Sequence, residues 1–160
     1  MKIVLFGNSG SGKSTLAQKL VAKFSLGHLD LDTVAWKKEE PMARRAIEDS
    51  SVDILQFIEK NQIWVIEGCY SSLLKIAMEH CSEIQFLNPG VDTCIENCKK
   101  RPWEPHKYKS SDEQNKNLDM LIGWVKEYES RQDEFSLAEH RALFNDYKGK
   151  KTESIEMAAF

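Results

Sequence analysis

Residues 1–15 read MKIVLFGNSGSGKST. A short apolar, β-branched run, Lys2 to Phe6, meets a stretch of three glycines and three serines, and a lysine falls inside it at position 13. The run suits a strand buried on both faces and bounded by Gly7. Beyond the loop, Ala17, Leu20, Val21 and Phe24 recur at helical spacing from Lys13 to Phe24, and Gly27 stands just past the end. Strand, side-chain-poor loop and helix therefore follow one another without a gap.

Gly7, Gly12, Lys13 and Ser14 fit G-x-x-x-x-G-K-[ST] with no departure. Glycines let the backbone curl so that successive N–H groups point inward at phosphate oxygens, and the helix N-terminus adds partial positive charge. The nucleotide-binding set expected from this Walker A pattern is Gly7, Asn8, Ser9, Gly10, Ser11, Gly12, Lys13, Ser14 and Thr15. Lys13 would reach the β- and γ-phosphates of ATP, and the Ser14 hydroxyl would ligate Mg²⁺. A flexible Gly/Ser turn that happens to carry a lysine is the alternative, and the flanking strand and helix weigh against it.

The totals bound the rest. A chain of 160 residues predicts one domain over 1–160, large enough to bury a core without staples. A formal charge of -3 argues against a general nucleic-acid or membrane-surface binder. No apolar run approaches the roughly 18 residues of a membrane span, and Ile3–Phe6 is too short for a secretory signal, so a cytoplasmic protein is expected. Cys69, Cys81, Cys94 and Cys98 show no C-x-x-C pair, and the four histidines are scattered, which predicts buried free thiols and no structural metal.

Apolar runs at His28–Leu31, Ile63–Ile66 and Ile84–Leu87 predict further strands, with a last edge strand at Lys151–Ile155. Helices are expected over about 41–60 with an interruption at Ser50-Ser51, over Leu73–Met78, Val91–Lys100, Leu118–Arg131 and Leu137–Tyr147. Ser111 with Gln114, and Ser136 with Glu139, offer capping boxes. Strands alternating with helices predict an α/β fold: a central parallel sheet of about five strands, helices on both faces, and ligands at the strands' carboxyl ends. Gly7, Asp30 and Glu67 would all emerge there.

Three more stretches carry chemistry. In HLDLDTVAW, Asp30 and Asp32 would point the same way from an extended segment, one toward a metal-bound water and the other as base or acceptor anchor. IWVIEGCY resembles a Walker B strand with Glu67 where Asp is usual, suited to a Mg²⁺ water or to the acceptor. KKRPWEPHKYK crowds Lys99, Lys100, Arg101, Lys107 and Lys109 among Trp103 and Tyr108, which suits either a basic lid over ATP, at about 99–112, or single-stranded nucleic acid. Arg131, at the end of the helix returning from that loop, would reach back to the γ-phosphate or lie exposed. Arg44 and Arg45 sit in the acceptor-side helical region expected over about 38–60.

At these residues the chain resembles the small P-loop kinases, which include shikimate, gluconate and adenylate kinases. GNSGSGKSTLAQKL followed by LDLD is similar to the shikimate kinase opening, Arg101-Pro102 to the start of that family's lid, and Arg45 with Glu48 to its acceptor-binding arginine. HLD with Trp36 soon after, WVIEGCYSSLL, and a Cys-containing helix before a basic lid are similar to the kinase-like topology-modulation proteins. Shikimate kinases carry a glycine triplet where this chain has Glu67-Gly68-Cys69, and nothing after Gly68 matches the Asp-Gly-Phe-Pro-Arg stretch of adenylate kinases. The resemblance implies a three-layer P-loop NTPase fold and transfer of the ATP γ-phosphoryl to a small hydroxyl- or phosphate-bearing acceptor. Lys13, Asp32, Arg101 and Arg131 would be catalytic, Ser14, Asp30 and Glu67 would serve Mg²⁺, and Asp32, Arg45 and Glu67 would face the acceptor. The expected partners are ATP and the acceptor, with no membrane or nucleic acid, in a monomer or dimer. An ATP-binding switch, or a DNA-associated protein with little turnover, is the alternative.

Overall fold

The computed structural model describes residues 1–156; the last four residues of the expected 1–160 domain lie outside the described residues. Strand β1 (Lys2–Gly7) is followed by α1 (Lys13–Phe24), β2 (Gly27–Asp30), α2 (Asp32–Ala35), α3 (Ile47–Lys60) and β3 (Trp64–Gly68). Then come α4 (Ser71–Met78), β4 (Glu83–Leu87), α5 (Val91–Lys100), α6 (Ser111–Lys116), α7 (Leu118–Lys126), α8 (Leu137–Asp146) and β5 (Lys150–Ser154). The five strands form one sheet in the order β2-β3-β1-β4-β5, every pair parallel. This is the expected α/β architecture, with β1 at its centre.

Period-two alternation in β1 sorts the core into two layers. Ile3 and Leu5 pack with Leu16 and Ala17 of α1, together with Leu26, Val65 and Leu87. Val4 and Phe6 face the opposite way, against Ile54 of α3, Leu73, Leu74 and Ala77 of α4 and Leu143 of α8. Phe6 stacks on Phe86 with ring centroids 5.1 Å apart. Each such side chain, fully buried, contributes about 1.5–3 kcal/mol. At the edge, β5 exposes Lys150, Lys151 and Thr152, a charged rim that discourages pairing with another sheet. A satellite cluster of Cys94, Cys98 and Val125 joins α5 to α7, so the two thiols share one face as their spacing predicts.

Four expectations need correction. The acceptor-side region over 38–60 is helical only from Ile47. Pro41 disfavours helix in the residue before it, and the backbone between Trp36 and Ala46 folds back on itself: Trp36 bridges Arg44, Lys37 N–H donates to Ala43 O (2.9 Å) and Arg45 N–H to Ala35 O (2.9 Å). Arg44 and Arg45 therefore sit on this turnback and not on a helix. No break occurs at Ser50-Ser51, because the buried Ser50 hydroxyl leaves its own helix to donate to Val34 O at 2.7 Å.

The helix from Leu118 stops at Lys126, short of Arg131. Tyr128 turns into the core there, its hydroxyl on His140 Nδ1 (2.7 Å) and its carbonyl accepting from Leu137 N–H (2.9 Å). The first capping serine is Ser110, which accepts from Glu113 N–H at 3.1 Å, and not Ser111 with Gln114. Gln114 is spent elsewhere: its side chain donates to Pro102 O (3.0 Å) and accepts from Glu104 N–H (2.8 Å), pinning the lid loop to α6. Of the second box the serine half forms: Ser136 Oγ accepts from Glu139 N–H at 3.1 Å, while the Ser136 N–H donates to Asp133 O at 3.1 Å and not to the Glu139 carboxylate.

Candidate active site

The loop between β1 and α1 is held from outside as well as by its own glycines. Gly7 and Gly10 have φ of +152° and +80°, and a Cβ on either would run into backbone, the Leu87 carbonyl for Gly7 and the Cys94 carbonyl for Gly10. The loop is thus pressed between the end of β4 and the first turns of α5, and Asn97 Nδ2 donates to Gly10 O at 2.8 Å. Asn8, 2% exposed, donates to Val125 O (3.3 Å) and accepts from Ser9 N–H (2.9 Å). Lys13 arches over the loop, its Nζ 2.7 Å from Asn8 O and 3.2 Å from Gly7 O. Gly12 caps α1 with no side-chain hydrogen bond, so the first-turn amides keep their donor capacity for an anion.

Glu67, at the end of β3 and 2% exposed, lies beside this loop. It accepts from Ser14 Oγ at 3.0 Å and meets His28 Nε2 at 2.8 Å. That hydrogen bond raises the His28 pKa above 6.5 despite burial, which acts the other way. Parallel register sets Asp30 directly opposite Glu67 across β2 and β3. Two of the expected metal residues, Ser14 and Glu67, are thus in contact, and the third is their neighbour. These are hard oxygen donors suited to Mg²⁺. Among the described residues no group of three or more His, Cys, Asp or Glu is arranged to hold a metal alone. A divalent ion here would draw its remaining positions from phosphate oxygens and water.

Asp32 is not in an extended segment, since α2 begins at that residue, yet its carboxylate and that of Asp30 still face one common group. Lys107 joins them, with Nζ 2.7 Å from Asp32 Oδ2 and 3.4 Å from Asp30 Oδ2. The other oxygen of Asp32 accepts from the Tyr70 hydroxyl, which accepts in turn from Trp36 Nε1 at 2.9 Å. Burial alone would raise the Asp32 pKa, but Lys107 and Tyr70 outweigh it and hold the carboxyl below its ordinary value. Asp30 goes the other way, pushed up by burial and by the Asp32 charge. Burial lowers Lys107, and the facing carboxylates more than reverse that, so the ammonium is held charged.

Between the phosphate loop and the lid opens a cleft of about 760 Å³. Of the residues expected from sequence, Lys13, Ser14, Thr15, Asp30, Glu67 and Arg101 line it, with Trp103 and His106 on the lid side. Arg45, Arg131 and Asp32 do not, nor do Gly7, Asn8, Ser9 and Ser11 of the loop. Arg45 donates to Asp53 (2.6 Å), Val34 O (3.1 Å) and Asp49 O (3.2 Å), fastening α2 to α3. Arg131 is paired with Asp133 at 2.8 Å and lies over the Trp124 ring at 4.3 Å. Both guanidinium groups are committed to structure. Arg44, the other arginine of the turnback, pairs with Glu134 (3.3 Å) and stands 4.8 Å over the Tyr70 ring.

Sequence reading missed His28, Tyr70 and Asn97 as site residues and placed Lys107 only in a general basic cluster. The signal for His28 was its alternation with Asp30 in HLD; for Tyr70 and Asn97 there was none, since their partners are remote in the chain. Cys94 and Cys98 are buried free thiols, and burial pushes the Cys94 pKa up to about 11. Cys69 and Cys81 are only partly buried at the residue level, a correction to the expectation of four buried thiols, although burial still raises the Cys69 thiol to about 12. No helix among the described residues is long and apolar enough to cross a membrane.

Known structures share this architecture. A shikimate kinase from Bacteroides thetaiotaomicron is similar over 98% of this chain and 88% of its own, at 18% identity and a TM-score of 0.53. A deoxyadenosine kinase from M. mycoides with bound dATP is similar over 96% of this chain and 90% of its own, at 14% identity and 0.52. A sugar kinase from Janibacter sp. HTCC2649 is similar over 95% and 83%, at 11% identity and 0.51. No protein-family model matches the chain, and no curated protein matches its sequence. At these identities the likeness speaks to fold, and the chain has a small P-loop kinase-like fold.

Proposed function

We propose that this chain is an ATP-dependent, Mg²⁺-requiring phosphotransferase acting on a small hydroxyl- or phosphate-bearing acceptor, shikimate kinase-like or nucleotide kinase-like. The observation that carries the reading is the convergence of Lys13, the Ser14–Glu67 pair and Asp30 on one cleft beneath the lid. In this reading residues 1–160 act as one domain whose lid is about 99–112. Lys13 and the loop amides from Asn8 to Thr15 bind and orient the phosphates, and Arg101 adds lid-side charge. Mg²⁺, held by Ser14 with Asp30 and Glu67, would supply charge neutralisation at the phosphates.

Asp32 anchors the acceptor. With one oxygen on Tyr70 and the other on Lys107, and its pKa held down, it is a better hydrogen-bond acceptor for a substrate hydroxyl than a strong proton abstractor. The lid's charges also speak against nucleic acid: Lys107 faces Asp30 and Asp32, Lys99 faces Glu96 and Arg101 faces Glu104.

The test is ADP release from Mg·ATP with and without shikimate, gluconate, nucleosides and nucleoside monophosphates. One compound should stimulate release strongly, and Lys13→Ala should reduce that rate by on the order of 10²–10³-fold while the fold survives. Unchanged turnover in Lys13→Ala would overturn the assignment.

A further inference from the structure

Among the described residues of the lid, Lys107 brings its charge closest to the carboxylates of the strand ends. Its ammonium faces three carboxylates, Asp32 at 2.7 Å, Asp30 at 3.4 Å and Glu104 at 3.6 Å, and is only 20% exposed. Asp30 and Glu104 are 15% and 16% exposed, so these pairs are screened less than surface ion pairs. The residue rides on an irregular loop with no sheet pairing and no place in the main core clusters. The loop's root is fixed to α6 through Gln114, whereas its tip reaches β2 through Lys107 and, more loosely, His106, which is 3.7 Å from Asp30. The shortest contact between the tip of the lid and the strand ends is thus the ammonium's.

That ammonium is also out-charged. Asp30 and Asp32, two residues apart, share it, and the other cations at the cluster stand farther off, Arg101 3.9 Å from Glu104 and His106 3.7 Å from Asp30; the ammonium itself is a compact, hydrated point charge on a flexible stem. The Asp30 oxygen facing Lys107 belongs to the group assigned above to Mg²⁺, so the two cations have competing claims on one carboxylate. We propose that Lys107 is a latch: it ties the lid down on Asp30 and Asp32, and the divalent cation arriving with the nucleotide displaces it, so that metal entry and lid release are one event. The latch rests on the phosphotransferase reading for its metal, whereas the contacts of Lys107 with Asp30 and Asp32 are geometry that holds without that reading.

The experiment is amide hydrogen exchange over residues 101–110 in wild type, Lys107→Met and Lys107→Arg, each free, with a non-hydrolysable ATP analogue, and with that analogue and Mn²⁺, alongside Mn²⁺ titration of the analogue-bound protein followed by its paramagnetic resonance. Lys107→Met should exchange about fivefold faster in the lid, with the amides of residues 3–6 and 64–67 unchanged, and Lys107→Arg should resemble wild type. Mn²⁺ should speed lid exchange in wild type and not in Lys107→Met, which should bind Mn²⁺ about threefold or more tightly than wild type. A purely structural lysine would give the first effect without the Mn²⁺ dependence, and that result overturns the proposal. So does equal lid exchange in wild type and Lys107→Met. Both readouts need no turnover, so a lid that behaves as a latch in a chain that releases no ADP would sink the phosphotransferase reading alone. Persistent Lys13-dependent turnover with a lid indifferent to Lys107 would sink only the latch.

Discussion

The phosphate loop and the lid face each other across one cleft and are held by different forces. The loop is fixed by backbone: positive-φ glycines, a lysine folded onto carbonyls five and six residues before it, and neighbours in β4 and α5 that leave no room for a Cβ at Gly7 or Gly10. The lid, by contrast, is placed by polar side chains: by charge at its tip, through Lys107 on Asp30 and Asp32, and by the neutral hydrogen bonds of Gln114 at its root. Packing of the first kind is insensitive to salt and tolerates no change of shape. Charge pairing of the second kind can be exchanged for a ligand's charge. A binding floor should be the first, and a moving cover the second.

The hardest blow to this contrast would be a tolerant floor. Gly10→Ala would combine a left-handed φ of +80° with a Cβ driven against the Cys94 carbonyl and within 2.8 Å of Cys98 Sγ. Relief requires α5 to move, and the expected loss of stability is about 2–5 kcal/mol by denaturant unfolding. A loss under about 1 kcal/mol would mean that the loop is no more rigid than the lid.

Next in size is a pH effect that belongs to the floor's support. His140 is fully buried at the ends of the central strands, where it donates from Nε2 to Cys69 O (2.8 Å) and accepts at Nδ1 from Tyr128. Burial lowers its pKa from 6.5 to about 4. The unfolded chain therefore binds this proton at a higher pH than the native one does. Stability is fully present above pH 6.5 and declines as pH falls toward 4, by up to about 3 kcal/mol from this group. Thermal melts across that window should show the decline, and His140→Gln should flatten it from a lower starting stability. An equally steep profile in His140→Gln would assign the acid sensitivity to carboxylates.

The same contrast explains what could be read from the chain alone. β1, the loop and α1 were legible because their determinants are contiguous: an apolar run, glycines at fixed intervals and a helical stripe all lie within residues 2–24. The sheet followed from three more apolar runs, whose ends placed Asp30 and Glu67 correctly beside the loop. Arg45 and Arg131 were misjudged because an arginine's partner is not written in its neighbourhood. Arg45 found Asp53 and the Val34 carbonyl once the turnback had displaced the expected helix, and Arg131 found Trp124 once Tyr128 had ended α7 early. Tyr70 went unread, and Lys107 was read only as one of the lid's cations, for the same reason, since each meets Asp32 across dozens of residues. Local backbone logic is legible; the pairing of long polar side chains depends on where the folded backbone brings them.

The smallest test uses one hydrogen bond made twice. Ser110 begins α6 in the lid and Ser136 begins α8 against the core, and each hydroxyl accepts from the amide three residues on at 3.1 Å. Chemistry and geometry match, so any difference between Ser110→Ala and Ser136→Ala reports the surroundings. Ser136 is fully buried and its helix carries His140 and Leu143 into the core, so an orphaned amide there has no water to take over, and the loss should be about 1–2 kcal/mol. Ser110 is exposed, on a helix of six residues that buries none of them, and water can replace its oxygen; the loss should stay below about 0.5 kcal/mol. Equal losses in denaturant unfolding would mean that the lid unfolds with the core as one unit, in which case it is a fixed wall of the cleft and has no independent motion to couple to a ligand.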